Sequence, residues 1–393
     1  MIPARQFVDA RLLPIFWRLL GIFVGLLSCL PLARALETVE FTRGGETRSI
    51  SGRLITTAAD GGVLLLAADG RIWTIQPTEL KSKTQDDRPF TPLKPNELAR
   101  ALLPELPAGF AIHTTVHYVI AYDTTKAYAQ WCGGLLERLS AAFVNHWTKL
   151  GIKLHNPEFP LVVIIFSKQE TYAEFSKAEL QGDARQIVAF YSLAANRVTL
   201  YDLSGAEALR RPGDQRGSPA QINAILSQPA AQPMVSTLVH EATHQIAYNS
   251  GLHQRFADIP LWVSEGIAVY FESPDLGSSK GWRTIGAVHQ ARLQQFQTYL
   301  PTRPRESLLT LTTDNKRFLQ PTQALDAYAE AWAFNHFLLK QKPKEYAAYL
   351  QELAKKEPYL WDEPEVHLKE FKAAFGDSME LNAEFLKYVK KLK

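Results

Sequence analysis

His240, Glu241 and His244, in the run His240-Glu241-Ala242-Thr243-His244, are the side chains whose types and spacing could do chemistry. On a helix, side chains four apart share a face, so His240 and His244 can aim imidazole nitrogens at one metal ion. Glu241 projects beside that face, where it can hold a water without ligating. Val235, Leu238, Val239, Ala242 and Ile246 recur at helical spacing, and Gly251 suits a C-terminal stop, so a helix is expected over 234–251. By chance, a chain of 393 residues would hold His-Glu-x-x-His roughly once in a hundred. Catalytic zinc usually takes three protein ligands, so a third is wanted from a neighbouring element. Residues 260–272 begin with a proline suited to a first helical turn and carry Trp262, Ile267, Tyr270 and Phe271, which reads as a second buried helix. Glu265 within it would be costly to bury without a compensating charge, and a metal supplies one. The expected ligand set is therefore His240, His244 and Glu265, with zinc as the metal and Glu241 as the base.

The order of these blocks resembles that of the gluzincin metallopeptidases. His240-Glu241-Ala-Thr-His244-Gln245 is followed, 21 residues after His244, by Ser264-Glu265-Gly-Ile-Ala-Val-Tyr-Phe-Glu272, closest to the aminopeptidase-type branch with its Asn-Glu-Gly-Phe-Ala. The wider layout of residues 113–345 is similar to an uncharacterised family of exported bacterial proteins with a peptidase-MA-like domain. It includes Val188-Ala-Phe-Tyr-Ser192, Asn196-Arg-Val-Thr-Leu-Tyr-Asp202 and Tyr328-Ala-Glu-Ala-Trp332. The resemblance implies peptide-bond hydrolysis by a metal-activated water, with a protein or peptide as substrate. It also places Tyr328, 63 positions after Glu265, where related gluzincins supply a Tyr or His to the oxyanion. His289 and His336 are alternative donors. Two departures stand out. Thermolysin-like members carry an Asp four residues after the ligand Glu to orient a histidine, and here Val269 stands there, so another group must do that work. The Gly-rich segment ending in Met-Glu-Asn that binds a free amino terminus is not visible, so aminopeptidase specificity does not carry over. Glu272 lies about 10 Å beyond Glu265 by helical rise, so the two cannot share one zinc.

The elements that must position these groups are legible in outline. The fold class is α+β, a zincin-like domain with a mixed sheet, an active-site helix and a helical C-terminal half. Over 39–80, short apolar runs alternate with Gly-Gly and Asp-Gly turns, hairpin chemistry that suggests a small SH3-like β-barrel over 36–80. Pro89, Pro92, Pro95, Pro104 and Pro107 make 81–109 a linker with at most a short helix at 96–103. The metal-bearing part then spans 110–280. Strands are expected at 113–120 and 161–166, helices at 129–150 and 170–180, and a hairpin of 187–191 with 197–203. His113 and His117 fall on the first of those strands, most simply as a surface pair. Residues 204–233 read as a long loop, and 197–203 as the edge strand that pairs with substrate. The remainder, 281–393, alternates helical patterns at 287–300, 323–341, 343–355 and 378–392 with short loops.

Composition bounds the rest. With 46% hydrophobic and 21% charged residues the chain is neither disordered nor low-complexity. Residues 1–35 hold four arginines and one aspartate, which accounts for the net charge of +3, and residues 36–393 are balanced. No basic excess calls for nucleic acid or an anionic surface. Arg5, Arg11 and Arg18 precede the apolar run 19–33 and the small-x-small triplet Ala33-Arg34-Ala35, an export signal expected to be cleaved. The chain is then periplasmic, extracellular or at the cell surface. Membrane attachment would require an uncleaved segment or lipid on Cys29. With the signal removed, Cys132 has no disulfide partner. Two other functional classes fit the same residues: an inert zincin-fold scaffold that binds through its N-terminal module, and a zinc hydrolase of other amides. Glu241 favours the enzyme, since a scaffold needs no base there.

Overall fold

The computed structural model describes residues 35–393 apart from 212, 279 and 280. Cys29 and the rest of the expected signal segment through 34 lie outside them. Among the described residues, no helix is long and apolar enough to cross a membrane.

The architecture is mixed α+β with two five-stranded sheets. The first comprises β1 (Ala35–Arg43), β2 (Glu46–Thr57), β3 (Val63–Ala67), β4 (Ile72–Ile75) and β5 (Leu80–Pro89), in the order β4-β3-β2-β1-β5. All pairings are antiparallel. Gly44 and Gly45 both take positive φ between β1 and β2, the backbone that a two-residue hairpin turn of matching twist requires. Val39, Phe41, Val63, Leu65 and Ile75 form a small core of their own. This sheet corrects two expectations. No ladder joins β4 to β5, so it stays open where a closed SH3-like barrel was expected. Its fifth strand also comes from the expected linker. Leu80–Pro89 is nearly all polar and exposed, so no apolar alternation marks it, and it is a strand because β1 offers a free edge to pair with.

Beyond α1 (Pro95–Leu102), the second sheet takes β6 (Ala111–Thr114), β7 (Tyr118–Tyr122), β8 (Leu161–Phe166), β9 (Ala189–Ser192) and β10 (Arg197–Tyr201), in the order β6-β7-β8-β10-β9. β7, β8 and β10 run parallel, and antiparallel β6 and β9 close the two edges. The expected single strand 113–120 is in fact two. Glu137 captures the Thr115 hydroxyl and the His117 amide and ring between them, which fixes the turn. Crossovers run through α2 (Lys126–Lys149) and α3 (Gln169–Leu180). The expected substrate edge, 197–203, is interior. β10 is flanked by β8 and β9, and the edge is β9.

The stretch 204–233 is not a bare loop but carries α4 (Pro219–Leu226), entered through a Ser218–Gln221 capping box. α5 (Gln232–Asn249) packs on β9, β10 and α2, and α6 (Leu261–Phe271) packs on α5. The helical remainder is α7 (Gln290–Tyr299), α8 (Ser307–Thr313), α9 (Lys316–Leu319), α10 (Ala324–Gln341), α11 (Pro343–Leu353), α12 (Pro364–Phe375) and α13 (Ser378–Val389). α10 lies along both α6 and α7. One continuous apolar core runs from the second sheet through α2 and α5 into this bundle.

Candidate metal centre

α5 is buried almost throughout, with Val235, Leu238, Val239, Ala242 and Ile246 sealing it into the core. Only polar groups that satisfy one another can share such a site. One ligand atom each from His240, His244 and Glu265 lies within 4.8 Å of the others, and all three residues are buried. His240 Nε2 stands 3.2 Å from His244 Nε2 and 3.1 Å from Glu265 Oε2, and His244 Nε2 stands 3.6 Å from Glu265 Oε1. Helices α5 and α6 thus converge three nitrogen and oxygen donors on one point. Glu241 lies beside them, its Oε2 accepting the backbone N–H of Tyr191 in β9 at 2.8 Å.

The far side of His240 is held by a group the sequence left without a role. Its Nδ1–H donates to Glu272 Oε2 at 3.1 Å, which turns Nε2 toward the ligand cluster. Glu272 is itself fixed from α7. His289 Nδ1 accepts the Arg292 backbone N–H, so its Nε2–H donates to Glu272 Oε1 at 3.1 Å, and Arg292 Nη2 lies 3.5 Å from the same oxygen. Glu272 therefore takes the place that Val269 leaves open. The signal was its position seven residues after Glu265, two turns on along the same helical face. Arg292 has no comparable signal in the sequence.

The charges call for a cation. Burial opposes ionisation of Glu265, but the two histidines override it and bring the carboxyl down to about 2. Burial likewise opposes charge on His240, yet hydrogen bonds to Glu265 and Glu272 raise it to about 10, so a proton sits where a metal could. Burial raises Glu241 to about 8, with the Glu265 charge adding to it. A dication held by His240, His244 and Glu265 would reverse that sign and favour the Glu241 carboxylate. Glu241 Oε1 and Glu265 Oε1 are buried with no hydrogen-bond partner. Two imidazoles, a carboxylate and two unmet carboxylate oxygens fit a zinc ion and a water.

Tyr328, on α10, is buried with the Glu265 and Glu241 carboxylates close enough to add to burial in raising its hydroxyl pKa well above the ordinary value. Phe318 packs edge-on against its ring and the Arg292 guanidinium lies 5.7 Å from the ring centre. The alternative donors are engaged elsewhere. His289 braces Glu272, and His336 donates to the Gly286 carbonyl while accepting from the Tyr388 hydroxyl. His117 pairs with Glu137, apart from His113 on β6.

Residues 234–360 match a family described as protein of unknown function (DUF1570). No curated protein matches the chain. The DUF1570 match takes in His240, Glu241, His244, Glu265, Glu272, Arg292 and Tyr328, and leaves out both sheets. It covers the helices that build the centre, under half of the chain.

Proposed function

We propose that the chain is an exported zinc peptidase of the gluzincin type, hydrolysing peptide bonds with Glu241 as general base. The observation that carries this reading is the buried convergence of His240, His244 and Glu265, with Glu241 alongside and Tyr328 next to Glu265. Zinc held by His240, His244 and Glu265 would supply Lewis acidity, lowering the pKa of a water to about 7. Glu241 takes the proton of the attacking water and returns it to the leaving amine. Tyr328, kept neutral by its raised pKa, donates a hydrogen bond from its hydroxyl to the tetrahedral oxyanion and keeps its proton. Glu272 holds His240 in the ligating tautomer. The Tyr191 N–H faces away from β10 toward Glu241, and its carbonyl shares that side, so β9 offers the edge along which an extended peptide aligns.

The first test is zinc content measured beside cleavage. Wild type is expected to hold about one zinc per chain, and His244→Ala to lose it. Glu241→Gln keeps the metal and loses hydrolysis. Zinc absent from both wild type and His244→Ala favours the scaffold reading, and retained cleavage in Glu241→Gln overturns the mechanism.

A further inference from the structure

The first sheet has no role in the chemistry above, yet it is fastened to the strand beside Glu241. Arg255, in the loop between α5 and α6, is buried and spends its guanidinium on backbone carbonyls from two parts of the molecule. Nη1 donates to Gly70 O at 2.8 Å, in the β3–β4 turn of the first sheet. Nε donates to Leu193 O at 2.9 Å and Nη2 to Ala194 O at 3.1 Å, both in the β9–β10 turn. Ala194 O also accepts the Ile72 N–H of β4 at 2.9 Å. Beside this seam, Arg197 at the start of β10 reaches Glu105 at 2.9 Å and Asp69 at 3.6 Å. The opposite side of the hairpin turn is tied to the metal helix. Asn196 and Asn249 exchange side-chain amide bonds of 2.7 and 2.8 Å, and the Tyr191 hydroxyl donates to Asn196 at 2.7 Å. The hairpin that carries the Tyr191 N–H to Glu241 is thus gripped between α5 and the first sheet.

We infer that Arg255 is a positioning residue, through which the first sheet sets where β9 stands against Glu241. The N-terminal module is then part of the peptide-binding apparatus and not a tethered recognition domain. A buried guanidinium suits this task because its planar fork satisfies several carbonyls at fixed angles, which an ammonium cannot do. The effect on catalysis rests on the peptidase reading; the effect on the hairpin does not.

The test compares wild type, Arg255→Lys and Ile72→Pro in the full chain. The lysine keeps the charge and loses the fork, and the proline removes the donor to Ala194 from the other side of the seam at a strand-end position that tolerates it. Hydrogen exchange is followed over 187–201 and over 232–249, with bound zinc and, on a cleaved peptide, KM and kcat. Both variants are expected to exchange about tenfold faster over 187–201, with 232–249 and zinc content unchanged, as the hairpin opens without the helix. KM rises about tenfold while kcat changes little, the mark of lost uniform binding. Unchanged exchange over 187–201 overturns the inference, as does an equal rise over 232–249 or a KM that stays put while the hairpin loosens. A wild type that cleaves no peptide defeats the peptidase reading, and the exchange pattern still decides whether the hairpin is braced.

Discussion

One imidazole ring bridges two glutamates seven residues apart in the chain. Glu265 lies on α6 and Glu272 two turns on at its C-terminal cap, too far for shared ligation, but His240 meets one with each nitrogen at 3.1 Å. Glu272→Ala removes the carboxylate that fixes the His240 tautomer and leaves His289 and Arg292 without their acceptor. Zinc affinity should fall by about 10–100-fold, read by competition with a chelator, and an unchanged affinity would mean that His240 needs no such partner. Tyr328→Phe acts at a different step. It should leave zinc affinity intact and lower kcat by about 10²–10³, the range for losing one oxyanion donor, whereas an unaltered kcat would return Tyr328 to the role of a core aromatic. The cluster of His240, His244 and Glu265 was legible because the chemistry expected of it fixes the spacing. Glu272 was not, because its value lies in a partner 32 positions earlier in the chain that only folding brings near.

At the level of elements, the site depends on how closely α10 approaches α6. A Cβ on Gly266 would stand 1.9 Å from Asn335 Nδ2 on α10, and that amide cannot retreat because it donates to the carbonyls of Trp262 and Ala331. The glycine beside Glu265 is thus the contact that lets α10 carry Tyr328 in. Gly266→Ala should cost about 1–3 kcal/mol of stability by overpacking, and should lower kcat as well, since α10 must move to admit the methyl. Thermal unfolding and steady-state rates read both, and a stable, fully active alanine variant would show that the helices have slack. Helices with an apolar stripe, such as α2, α5, α6 and α10, could be placed from sequence to within a few residues. β5 could not, since its polar residues acquire strand geometry only from β1. Nor could the order of β9 and β10, both fully buried. Their composition is alike, and only the parallel pairing of β10 with β8 puts β9 at the edge.

At the scale of the whole molecule, the second sheet with its crossover helices shares one core with the helical remainder, and His146 lies at a joint between them. On α2, it packs against Trp147 and, across the joint, against Tyr270 and Phe271 of α6, with ring centres 5.1 to 5.6 Å away and its Nε2 buried without a partner. Neither the helical period nor residue type marked this histidine, because its surroundings come from a helix more than a hundred residues on. Burial, with Lys340 and Lys149 adding to it, lowers its pKa to about 4. Unfolding restores an ordinary value of about 6.5, so the unfolded chain binds the extra proton between those limits. The neutral ring therefore supports the fold fully above about pH 6.5, and that support fades as pH falls toward 4. Between pH 7 and 4.5 the loss from this one group is on the order of 2 kcal/mol. Titrating metal ligands would obscure it, so the comparison uses zinc-free protein throughout, wild type against His146→Leu, with urea unfolding at both pH values. The other acid-sensitive groups contribute equally to each protein and cancel. Wild type should lose about 2 kcal/mol more than the leucine variant over that interval. Equal losses would mean that the ring takes up its proton in the folded state as readily as in water, and that the joint is wetter than its packing implies.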